Sequence, residues 1–196
     1  MFLWTLLKNQ TGAMFGLDGR IAMAIFGGLS VIAGVTAFSS LNTINAQAFA
    51  KEIRETATAI EGIHSDLKQD LHRSLLVPSD KNAYMALFDR NQLENRLRSR
   101  WLGPYVQRNT DIHPKYGFIR ITKARRDRHT DSCLTKDNCA LWLTYDMVPP
   151  AVATALNDVF DGDEENPDVE GKLQFDLPQN EVVKVWYRVS GVLSLN

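Results

Sequence analysis

The densest charge in this 196-residue chain is the acidic run from Asp158 to Glu170, whose side chains are those a hard cation seeks. Calcium takes ~6–8 oxygen ligands, and closely spaced carboxylates on a glycine-containing loop can supply them. Asp161, Asp163, Glu165 and Asp168, with Gly162 among them, form the candidate calcium set. Their spacing departs from the EF-hand alternation, since Gly162 takes the second slot and no Glu closes the loop. Read without a ligand, the run is a solvated acidic loop, so no cofactor is expected beyond a candidate calcium ion. A second cluster is basic: Arg120, Lys123, Arg125, Arg126, Arg128 and His129. Phosphate contacts need little more than positive charge, so DNA is one partner class it could meet. No aromatic platform interleaves with the cluster, however, and base stacking would want one. A solvated loop, or an acidic surface on another chain, fits the same residues.

Cys133 and Cys139 enclose the loop LTKDN. In an oxidising compartment they can pair as a short-loop disulfide; otherwise they are two free thiols. A metal would need further ligands, and only His129 is close in sequence. The histidines, His64, His72, His113 and His129, are scattered and none accompanies a recognisable nucleophile. There is no G-x-S-x-G, H-E-x-x-H or Walker-type loop, so the chain reads as non-enzymatic.

The elements that would position these residues begin with an apolar run. Residues 21–38, IAMAIFGGLSVIAGVTAF, carry no charge, and the uncharged stretch extends from Arg20 to Lys51. Eighteen helical residues rise ~27 Å, close to the ~30 Å of a bilayer's hydrocarbon layer, so this stretch reads as a transmembrane helix. A competing reading makes it the core of a secretory signal cut near Ala46-Gln47-Ala48, although such cores are normally ~7–15 residues. From Phe49 the pattern turns amphipathic: Phe49, Ile53, Ala57, Ile60, Ile63, Leu67, Leu71 and Leu75 recur at threes and fours. One helix is expected to continue to about Pro78. Its stripe drifts toward all-fours, which suits packing on a sheet better than a coiled-coil seam.

Beyond it, residues 83–102 read as a second helix stopped by Gly103-Pro104. Residues 116–124 and 140–147 read as strands, 151–160 as a helix behind Pro149-Pro150, and 172–177 and 181–192 as two further strands around the turn PQN. The fold class expected is therefore α+β, a long N-terminal helix packed on a small antiparallel sheet.

Two features resemble the type IV pilin and pseudopilin family. One is the N-terminus, where Lys8-Asn9-Gln10-Thr11-Gly12 precedes Ala13, an acidic residue and the apolar helix. The other is Trp101-Leu102-Gly103-Pro104-Tyr105-Val106, similar to that family's W-x-G-P-Y segment between helix and sheet. The resemblance implies a leader of residues 1–12 cut between Gly12 and Ala13, or one of 1–16 cut between Gly16 and Leu17, with methylation of the new N-terminus. It implies a transmembrane and assembly half, 13–50, an amphipathic half, 51–77, and a periplasmic domain, 78–196. Asp18 would pair with the neighbouring subunit's N-terminus, although the family's acidic residue is a Glu at the fifth mature position. The implied role is a structural subunit of a type IV pilus-like or type II secretion filament, single-pass in a bacterial inner membrane before assembly. Its implied partners are sibling subunits, a leader peptidase, a platform membrane protein and an assembly ATPase. A membrane-anchored binding domain acting alone is the alternative.

Overall fold

A computed structural model describes residues 15–127, 129, 131, 133, 138–162, 166–167, 169–176 and 181–191, with side chains at all of these except 15–18, 35–36, 38–39 and 190–191. The chain divides into two compact units, Met1–Leu41 and Asn42–Asn196. In the first unit the described residues are helical and belong to α1, Phe15–Leu67, which covers 53 residues.

The second unit is built on a five-stranded antiparallel sheet. Its strands are β1 (Ile112–His113), β2 (Gly117–Arg125), β3 (Cys139–Val148), β4 (Leu173–Phe175) and β5 (Val183–Gly191), in spatial order β1-β2-β3-β5-β4. Register aligns two rows on one face. Ile119 lies opposite Tyr145, which faces Val185 and then Phe175; Ile121, Leu143, Tyr187 and Leu173 form the next row. Because side chains alternate between faces, this face is apolar throughout. It shares one buried core with the stripe of α1, where Ile53, Ile60, Ile63 and Leu67 are fully buried. Each such side chain stabilises the fold by ~1.5–3 kcal/mol relative to exposure. Phe49 starts the stripe, stacked on Tyr116 at 3.9 Å and edge-on to Tyr145 at 4.7 Å. The stripe therefore packs on a sheet and not in a coiled-coil seam.

Three expectations need correction. First, no helix among the described residues is long and apolar enough to cross a membrane. The described side chains of α1 include Arg20, Ser30 and four glycines at the apolar end, and charged residues recur from Lys51 onward. The fold class with a transmembrane-then-amphipathic helix is thus not supported, nor is a single-pass inner-membrane anchor with a periplasmic domain. What is present is the sheet with α1, α2 (Asp80–Met85) and α3 (Pro150–Phe160).

Second, α1 stops at Leu67 and does not reach Pro78. Lys68 turns into the left-handed region at φ 54° while its N–H still reaches His64 O at 2.9 Å. A short 3₁₀ turn over His72–Ser74 follows, organised by Asp70, whose main-chain oxygen accepts from Ser74 N–H and Oγ and whose Oδ1 accepts from Arg73 N–H.

Third, the helix expected over 83–102 is only α2, capped by Ser79 Oγ on Asn82 N–H at 3.1 Å. Asp89 ends the helical path by accepting from Asn91 N–H and Gln92 Nε2, local bonds that compete with a helical ladder. The small strand β1, which pairs with the start of β2, has no counterpart in the sequence reading. The PQN turn lies outside the described residues.

Candidate functional site

Two surfaces stand out, and each arises from α1. The first is its apolar N-terminal portion. Ile21, Met23, Phe26, Leu29 and Val31 are each more than half exposed. At ~100° per residue they fall at ~0°, ~200°, ~140°, ~80° and ~280° around the axis, so the apolar surface encircles the helix. A helix with one apolar stripe needs one partner face; a helix apolar all round calls for burial on every side.

The second surface is where the domain grips the same helix. The segment Trp101 to Tyr105 acts as a clamp. Trp101 Nε1 donates to Ala86 O at 2.9 Å, and Tyr105 N–H donates to Leu87 O at 2.8 Å. The Tyr105 hydroxyl donates to Asp66 Oδ2 on α1 at 2.5 Å and accepts from Leu102 N–H at 3.0 Å. Burial, reinforced by that bond to Asp66, pushes the Tyr105 phenol up to about 12. Two glycines make room. A Cβ on Gly62 would meet the Tyr105 ring at 3.4 Å, and one on Gly103 would meet both the Trp101 and Tyr105 rings at 2.7 Å.

Elsewhere on α1, Glu52 links the loop at Arg108 to the end of β1 at His113. Its Oε1 lies 2.9 Å from Arg108 Nη2, and its Oε2 lies 3.2 Å from His113 Nε2. His113 is buried, and burial lowers its pKa below the ordinary histidine value. Glu52 works against that shift, while Arg108 and Lys115 add to it. A cleft of about 670 Å³ opens on one side of Glu52, with Lys51, Glu55, Tyr84 and Gln107 on its walls. Burial pushes the Tyr84 phenol up to about 12. A smaller pocket of about 260 Å³ lies on the other side, between Asn45, Phe49 and the turn at Pro114. Nothing in the sequence announces the Arg108–Glu52–His113 group, because its members are far apart in the chain and share no motif.

The residues singled out from sequence fare differently. Gly12 and Ala13 lie outside the described residues. Gly16, Leu17 and Asp18 lie in the first turn of α1, and their side chains are not among those described. Of the calcium set, Asp161 is described and Asp163, Glu165 and Asp168 are not. The Asp161 carboxylate is engaged on main chain, accepting from Lys172 N–H at 2.9 Å and Leu173 N–H at 2.6 Å, which ties the end of α3 to the start of β4. Among the described residues no three His, Cys, Asp or Glu side chains converge as a metal would require.

The basic cluster is largely paired within the domain. Arg120 meets Asp111 at 2.6 Å, Lys123 meets the fully buried Asp70 at 3.3 Å, and Arg125 meets Asp127 and Asp131. His129 is buried, with Nδ1 2.6 Å from Gln174 Oε1 and Nε2 2.8 Å from Asp176 Oδ1, its ring against Trp186. Arg128 lies outside the described residues. Cys133 and Cys139 are joined as a disulfide with Cα atoms 5.3 Å apart.

No protein-family model matches this chain, no curated protein matches it, and no solved structure matches its fold.

Proposed function

We propose that the chain is a structural subunit of a pilin-like filament, polymerising through the apolar portion of α1. The observation that carries this reading is the all-round apolar surface of residues 21–31, which asks for several neighbours and not one. The occupants are further copies of the same helix, or of sibling subunits with a similar one, gathered into a bundle. Small residues at Gly27, Gly28 and Gly34, where among the described residues no atom beyond the adjoining helical backbone and chain neighbours lies within 4 Å of an added Cβ, leave room for backbones to approach closely. The domain forms the outer wall of the filament, and the Trp101–Tyr105 clamp holds it to its own helix.

In this reading a leader peptidase cuts after Gly12, and an assembly ATPase supplies work. Asp18, in the first turn of α1, meets the amine of the next subunit; a negative charge there also suits the helix dipole. The role is mechanical and involves no catalysis.

The test uses the full chain expressed with its leader. Sedimentation and negative-stain microscopy should show concentration-dependent fibres, and the mass of the mature protein should show loss of residues 1–12. Phe26→Glu combined with Val31→Glu should abolish assembly while the thermal unfolding of the domain stays unchanged. Fibres that persist in the double variant, or a wild-type chain that never associates with itself or a sibling, would overturn the reading.

A further inference from the structure

The imidazole of His113 makes an unusual set of bonds. Its Nδ1 accepts two main-chain N–H groups at once, from Lys115 and from Tyr116, each at 3.0 Å. A ring nitrogen that accepts carries no proton, so the proton resides on Nε2 and points at Glu52 Oε2. The ring is stacked on Tyr116 at 4.6 Å and lies 5.9 Å from Phe49 and 6.0 Å from Tyr145. Through these contacts the turn from His113 to Tyr116 is fastened to α1 at Phe49 and Glu52, and it walls the 260 Å³ pocket.

We propose that this turn is an acid-released latch on α1, with Nδ1 of His113 as its trigger. A second proton can enter the ring only at Nδ1. There it would place three N–H groups at one point, and the two main-chain donors must leave. The charged groups around the ring come from three elements. Glu52 on α1 favours the cation, whereas Arg108 on the loop after the clamp and Lys115 in the turn oppose it. Tyr116, and Tyr145 from β3, face the ring as neutral phenols, since burial raises both above the usual tyrosine range. Burial dominates the balance on His113 and lowers its pKa, so the latch stays shut through neutral pH and opens below the ordinary histidine range. Opening unstacks Tyr116 from Phe49 and frees one wall of the pocket beside α1.

The experiment is hydrogen exchange read by mass spectrometry on the full chain, from about pH 7.5 to about pH 5, with rates corrected for the intrinsic effect of pH. Peptides covering residues 112–118 should lose protection by about tenfold or more in acid, while β3 and β5 stay protected. In His113→Asn, the amide oxygen can accept the same kind of i+2 N–H and does not titrate, so protection should persist in acid. Unchanged protection of residues 112–118 in acid in the wild type, or an identical acid response in His113→Asn, would overturn the proposal.

Discussion

Gly103 sits between two aromatic rings, and its lack of a side chain lets Trp101 and Tyr105 close on each other at a centroid distance of 5.7 Å. Any Cβ there overlaps both rings, and neither can withdraw without losing its hydrogen bond to Ala86 O or Asp66. Gly103→Ala should therefore destabilise the domain by ~1–3 kcal/mol, as overpacking does, read from the midpoint of urea denaturation. His64 makes a different prediction. It is buried in the core side of α1, its Nε2 finds no hydrogen-bond partner among the described residues, and burial lowers its pKa. With the folded value below the unfolded one, the unfolded chain takes up the proton first. Stability is thus full above the ordinary histidine range and falls as pH drops through it. Replacing His64 with Leu should make that acid limb shallower, leaving the share that His113 contributes; an unchanged limb in a series of thermal melts across pH would show that the decline arises elsewhere.

At the scale of elements, the disulfide closes a small loop between β2 and β3, and His129, in the same connection, sets its ring against Trp142 and Trp186. A loop of this length restrains the unfolded chain by ~2 kcal/mol in the loop-entropy description, so reduction should lower the denaturation midpoint correspondingly. Equal midpoints with and without a dithiol would indicate that the hydrogen bonds of His129 and the ion pairs of Arg125 suffice without it.

The strands were the most legible elements. Alternation over YGFIRITKA places a strand within a residue or so of β2, because one of its faces is the more buried, while ALWLTYDM marks β3 by an apolar run, because both of its faces are covered. The end of α1 was hidden for the opposite reason. Leu71 and Leu75 continue the spacing of the stripe and are buried, yet they reach the core from a turn, since burial period and backbone conformation part company after Lys68. The short extent of α2 escaped for a related cause: Asp89 and the 3₁₀ turns after it keep an apolar pattern without a helical ladder. The Glu52 group was not legible at all, because it depends on the sheet bringing Arg108 and His113 to one turn of a helix.

For the whole molecule, a net charge of −1 offers little long-range repulsion between copies. The stretch between Arg20 and Lys51 holds no charge, and the basic side chains from Arg120 to Arg125 are engaged with acidic neighbours of the same domain. With the Asp18–amine pair as the one charged contact proposed between copies, association through the helix should accordingly depend only weakly on ionic strength. Sedimentation between about 0.05 and about 0.5 M salt, a range over which exposed charge pairs are progressively screened, should shift the threshold concentration only slightly. Dissolution at the upper end would point to a charged contact between domains.

Lys68 has a bearing on engineering. A left-handed residue with a Cβ is held there at a cost of ~1 kcal/mol by what surrounds it, here the Asp70 turn and its ion pair with Lys123. The halt of the rod is thus dictated from outside, by tertiary anchoring, and not written into the local backbone. Lys68→Gly would make the bend native to its own position, and a calorimetric scan should show the domain melting a few degrees higher, with ~0.5–1 kcal/mol gained.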